Sequence, residues 1–241
     1  MRPLFALPVL IALATPASAD LRDYQKCIDM AQISPEEVRR EAIAWYTETG
    51  EPGALHCEAV ALSEMGALST AANKLQETAQ LPGVDELTRV NLLTQAALLW
   101  REEGDNDAAF GALDTAVKYR ATPRVLIERA ILHADARAWE KAHSDLSQAL
   151  STSPSDAEAL SLRAAANRRM GDAEAARRDA MLAIEYLPVS PAAWFELGKA
   201  EQALGLSDGA RRSWLKTIDV APGSPFATLA RGALQDMDGG G

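Results

Sequence analysis

The chain has 241 residues, with 24 basic against 34 acidic side chains for a net charge of −10, 48% hydrophobic residues and 5% aromatic ones. An acidic surface repels phosphate backbones and anionic lipid, so this balance argues against a nucleic-acid partner. Abundant Ala, Leu, Glu and Arg favour helices, and the length suits one compact domain or one repeat array.

At the amino terminus Arg2 precedes an apolar run from Leu4 to Ala14, and Ala17-Ser18-Ala19 gives the small-x-small pattern of a cleavage site. The run is shorter than the roughly 20 residues that span a bilayer, and Pro8 interrupts it. Residues 1–19 therefore read as a signal peptide cut after Ala19, leaving Asp20 first and no cysteine there to carry a lipid. No later stretch suits an integral membrane segment, so a periplasmic or secreted protein is expected.

Residues 20–50 read as a capping helix pair, Leu21 to Ile33 and Glu36 to Thr49, with Ser34-Pro35 as cap and first-turn proline. Val38, Ala42, Trp45 and Tyr46 fall on its apolar face. Cys27 lies in this cap and Cys57 in the next segment, and they are the only cysteines. In an oxidising compartment such a pair is expected to bond as a structural staple. A redox role would need a C-x-x-C motif or an activated thiol, and only His56 stands beside Cys57. Residues 51–89 hold a looser helix pair and a connector, carried by Leu55, Ala59, Leu62, Gly66, Ala71 and Leu75.

From residue 90 onward a repeat is explicit. Pro154, Pro188 and Pro222 follow one another at intervals of 34. Ahead of each proline small residues recur in register: Ala130, Ala142 and Ala149; Ala164, Ala176 and Ala183; Gly198, Ala210 and Thr217. Two antiparallel helices approach closely only where their facing side chains are small. Gly66, Gly104, Gly171 and Gly205 stand where one helix must stop, and Asp105, Asp172 and Asp208 are suited to cap the helix that follows. Residues 225–241 read as a closing helix, from about Ser224 to Met237, with a frayed tail.

The segment Pro191-Ala-Ala-Trp194-Phe-Glu-Leu197-Gly198, followed by Ala210, Trp214 and Pro222, is similar to the tetratricopeptide repeat, and residues 90–224 resemble four consecutive copies. The resemblance, to exported bacterial members of that family, implies an all-α fold: an α-solenoid of antiparallel helix pairs wound as a right-handed superhelix. Two positions depart from the pattern. The family's first-helix tyrosine place holds Trp100, His133, Asn167 and Glu201, and its leucine place holds Arg129 and Arg163, which puts standard packing inside those pairs in question.

The resemblance also implies a non-catalytic groove, lined by the first helices of successive units, that binds a protein or peptide. Carried over residue by residue, the lining is Asn91, Thr94, Leu98 and Arg101; Arg124, Ile127 and Ile131; Ser161, Ala165 and Arg168; Phe195, Lys199 and Gln202. Leu98, Ile127, Ile131 and Phe195 would form an apolar strip, with Arg101, Arg124, Arg168 and Lys199 setting positive charge beside it. Taken singly each residue fits ordinary packing or a solvated charge; together they suit a peptide apolar on one face and acidic on the other. The family's Lys and Asn clamp for chaperone carboxyl termini is missing, its places holding Thr94, Leu98, Ile127, Ile131, Ser161 and Ala165.

Other chemistry is sparse. His56, His133 and His143 have no i, i+4 partner, and no H-E-x-x-H, Walker or Rossmann pattern occurs, so neither metal, cofactor nor catalytic residue is expected. Three functions remain: an envelope adaptor or scaffold, a chaperone-like holder of exported clients, and a non-catalytic regulatory module of an envelope enzyme. The sequence specifies no oligomeric state.

Overall fold

A computed structural model describes residues 23–239. The expected signal peptide and cleavage site, and the first residues of the expected cap, lie outside the described residues. Thirteen helices and no strand occur among the described residues, which form two compact units divided between Lys74 and Leu75.

The first unit holds α1 (Tyr24–Ala31), α2 (Pro35–Thr49), α3 (Pro52–Glu64) and the beginning of α4 (Leu68–Gln80). The α1 helix is shorter than expected at both ends: Asp23 caps it by accepting the Lys26 N–H, and the chain leaves the helix after Ala31. Ser34 does precede α2, but its side chain makes no cap hydrogen bond; Pro35, which lacks an N–H, opens the helix instead. Cys27, Ala31, Val38, Ala42, Trp45, Ala54, Cys57 and Ala61 form one buried cluster. Within it Cys27 and Cys57 are bonded, with Cα atoms 6.1 Å apart. The Trp45 Nε1–H donates to Glu51 at 3.1 Å, and the buried Glu58 carboxylate faces Arg39 and Lys74 at 3.7 and 3.4 Å.

The second unit stacks α5 (Glu86–Glu103) with α6 (Asn106–Tyr119), α7 (Pro123–Asp135) with α8 (Trp139–Thr152), α9 (Ala157–Arg169) with α10 (Ala173–Tyr186) and α11 (Pro191–Ala203) with α12 (Ser207–Val220); α13 (Pro225–Gly239) covers the last pair. Each second helix also packs on the next first helix, and the first helices α5, α7, α9, α11 and α13 lie side by side in order. All nine small residues of the repeat are buried, which is what lets each pair close. The turns between paired helices need a left-handed residue. Gly104, Gly171 and Gly205 supply it at φ 90°, 92° and 75°, and in the α7–α8 turn Arg137 takes the place at φ 57°. Asp105 and Asp172 accept the N–H groups of Ala108 and Ala175 as expected caps. Asp208 does not: it falls inside α12, whose preceding residue is Leu206, so the helix starts without a side-chain cap.

The departures from the family pattern are coupled across each pair. Arg129 on α7 grips Asp145 on α8 with two hydrogen bonds of 2.8 and 2.7 Å, and Arg163 on α9 grips Asp179 on α10 with two of 2.8 Å. Each arginine also reaches back to the preceding second helix, at Asp114 (3.0 Å) and Ser147 (3.4 Å). The tyrosine place answers the same acids: Asn167 donates to Asp179 at 2.9 Å, and His133 Nε2 lies 3.8 Å from Asp145. In the last pair Leu197 replaces the arginine and Ser213 the acid, and the Ser213 hydroxyl donates to Glu201 at 2.7 Å. A charged lock between helices thus stands at the family's leucine place in two of the pairs, and its buried partners are mutually satisfied.

Candidate peptide-docking face

The row of first helices exposes some of the expected groove residues and buries others. On α5, Asn91 is exposed and Leu98 half-buried, but Thr94 is buried with its hydroxyl donating to the Val90 carbonyl at 2.7 Å. On α7, Ile131 is half-buried, whereas Ile127 belongs to the core cluster with Leu126, Leu146 and Leu160. On α9, Ser161 is buried and spends its hydroxyl on the Ala157 carbonyl at 2.7 Å. Thr94, Ile127 and Ser161 are thus buried, unlike the other expected lining residues on these helices, and of the three only Ser161 lines the cavity described below.

Two buried carboxylates answer three of the four expected basic groups and offset half of their charge. Arg101 and Arg124 both pair with the buried carboxylate of Glu128, and Arg168 holds Glu196 through contacts of 2.9 and 3.3 Å. Lys199 Nζ donates to Gln202 at 2.9 Å and lies 5.7 Å from the centre of the Trp214 ring. Burial, followed by the nearby Arg168 guanidinium, pushes the Lys199 ammonium below its ordinary value. Phe195 packs against Phe226, ring centres 5.9 Å apart. Of the four basic groups, Lys199 alone has no carboxylate ion-pair partner among the described residues.

The face presents a small cavity of about 270 Å³ where α9, α11 and α13 meet. Its lining is Leu162, Ala165, Leu187, Ala192 and Phe226 together with Glu158, Ser161, Ser190 and Glu196, of which Glu158 is exposed. Glu158, Ala192 and Phe226 recur at 34-residue intervals, so the repeat register already aligned them in one row across three helices. That register is the signal a sequence reading misses when it stops the array at residue 224 and leaves α13 out of the face.

No group of His, Cys, Asp or Glu side chains among the described residues is placed to hold a metal ion, and no described helix is long and apolar enough to cross a membrane. The cavity lining is mostly apolar and carries two carboxylates, Glu158 and the Arg168-paired Glu196.

The class these observations define is an all-α stack of helix pairs of the tetratricopeptide type. Solved structures of that type superpose on it. MamA from Desulfovibrio magneticus RS-1 matches with a TM-score of 0.61 at 17% identity, covering 72% of this chain and 97% of that one. YrrB, described as a tetratricopeptide protein with an unusual peptide-binding site, matches with a TM-score of 0.62 at 16% identity, covering 79% and 97%. Cut9, from the Cut9–Hcn1 hetero-tetramer of the APC/C, matches with a TM-score of 0.64 at 12% identity, covering 87% of this chain and 42% of its own. At these identities the likeness establishes the fold. No family model and no curated protein matches the sequence.

Proposed function

We propose that this chain is an exported, non-catalytic interaction scaffold that docks a peptide or helix of an envelope protein on the first-helix face of its second unit. The observation that carries the reading is the largely apolar cavity between α9, α11 and α13. A fold neighbour described as having a peptide-binding site supports it. In this reading residues 90–224 are four repeat units, residues 51–89 a degenerate unit and connector, residues 20–50 an amino-terminal cap, and residues 225–241 the end cap that completes the cavity. Export is supported by the bonded Cys27–Cys57 pair together with the amino-terminal sequence.

A photoreactive residue at Ala165, with a control at the exposed Arg178, tests the scaffold reading in intact cells. One dominant crosslink specific to Ala165 is expected, on a mature chain whose first residue by mass spectrometry is Asp20. Equal labelling at both sites, or an intact leader in the folded protein, would overturn the corresponding half of the proposal. A second reading, a holder of unfolded exported clients, rests on a separate observation: Met181, Leu182, Tyr186, Val189 and Leu215 are exposed by 40 to 63% along α10, the turn after it and α12. That reading predicts a smear of crosslinks from a probe at Met181.

A further inference from the structure

The cavity between α9, α11 and α13 offers an incoming molecule little polar chemistry, because nearly every polar group on it is already engaged. The Ser161 hydroxyl donates to its own helix, and Ser190 Oγ accepts the Ala193 N–H at 3.2 Å. Both Glu196 oxygens receive the Arg168 guanidinium, which leaves that pair neutral as a whole. Glu158 differs: it is exposed and has no hydrogen bond or ion pair to any described residue. Among the residues that line the cavity the net charge is therefore that of one carboxylate, on a chain that carries −10 overall.

The volume sets the size of the guest. About 270 Å³ falls just under the roughly 300–1,000 Å³ of pockets that enclose whole small molecules, so a single bulky side chain fits it better than a free metabolite. Building on the docking face proposed above, we infer that the cavity takes a Leu-, Met- or Phe-sized side chain from a partner segment that carries a lysine or arginine beside it, the basic group pairing with Glu158. The preferred peptide is thus apolar and basic, the reverse in charge of what the row of arginines suggests in the sequence.

Selection from a phage-displayed random dodecapeptide library on the folded, disulfide-bonded chain tests this. The expected winners place an apolar residue next to Lys or Arg. Their affinity should fall about tenfold or more with Ala165→Phe or Ala192→Phe, each of which fills the cavity, and about two- to fivefold with Glu158→Gln. Winners that need the open cavity yet ignore Glu158→Gln, or that are rich in Asp and Glu, overturn the basic-partner inference and leave the docking face standing. Winners that bind both filled variants undiminished, or a library that yields none, overturn the docking face and the inference with it. Thermal melts of the two filling variants identify one that keeps its fold for the comparison.

Discussion

Gly198 on α11 is where the packing is least forgiving. A Cβ there would lie 2.3 Å from Trp214 Nε1, 2.5 Å from Cδ1 and 2.9 Å from Cε2. Trp214 is fully buried with Ala210 and Ala230, so the indole has nowhere to retreat. Helix propensity alone favours alanine over glycine by about 1 kcal/mol. Overpacking a closed core costs about 1–3 kcal/mol and occasionally more, and contacts this short belong at the upper end. Gly198→Ala should therefore lose about 2 kcal/mol net, which for a chain of this size lowers the melting midpoint by about 4–8 °C. Far-ultraviolet circular dichroism melts read the shift. The pair can be checked in the Trp214→Leu background, where the space is open and the same alanine should become neutral or stabilising. An alanine variant that melts at or above the parent in the native background would refute the reasoning, because propensity would then outweigh a contact that cannot form.

Four further outcomes are expected. Asp179→Ala, which strands the half-buried Arg163 and removes the acceptor of Asn167, should cost about 3–5 kcal/mol by denaturant titration, and Arg163→Leu with Asp179→Ser, copying Leu197 and Ser213, should recover most of it. His133 is held below its ordinary imidazole value mainly by burial, with Arg129 and Lys141 reinforcing and Asp145 and Asp114 opposing. The unfolded chain thus takes up that proton first, stability should fall as pH drops through about 6.5, and His133→Gln should flatten the slope between about pH 7.5 and 5.5. Cys57→Ser opens a 30-residue loop and should cost about 3 kcal/mol in the first unit, seen as a lower midpoint that reductant no longer changes. Arg168→Glu should destabilise by about 3–5 kcal/mol because it sets a second carboxylate against buried Glu196, whereas Arg124→Glu should cost about 1 kcal/mol, since Arg101 still serves Glu128; equal losses in the two denaturant titrations would contradict the pairing.

The pairing of helices was legible in the sequence because its cause is local and periodic. Small residues at 34-residue intervals, glycines at the turns and prolines between units each report a steric demand that any helix pair makes. Arg137 shows the edge of that logic: the turn needs a left-handed residue, and a non-glycine side chain can fill it. The outward face was less legible, for two physical reasons. How far neighbouring helices close on each other decides whether Thr94, Ile127 and Ser161 are buried or exposed, and no repeat position encodes that distance. The ion pairs Arg101–Glu128 and Arg168–Glu196 join residues 27 and 28 apart, from one unit to the next, so a period of 34 does not reveal them.

The same period that makes the packing uniform separates structure from recognition. Inward places must keep their size from unit to unit, as Ala142, Ala176 and Ala210 do, since every pair closes by the same approach. Outward places carry no such constraint, and one row runs Arg124, Glu158, Ala192, Phe226 as it passes from α7 to α13. Charge gives way to apolar surface along that row: the arginine pairs with Glu128, and the exposed carboxylate of Glu158 and the Phe226 ring both line the cavity. If a partner docks across this row as proposed, the carboxylate at α9 and the apolar surface at α13 would set its direction by the order of its own residues, basic then apolar.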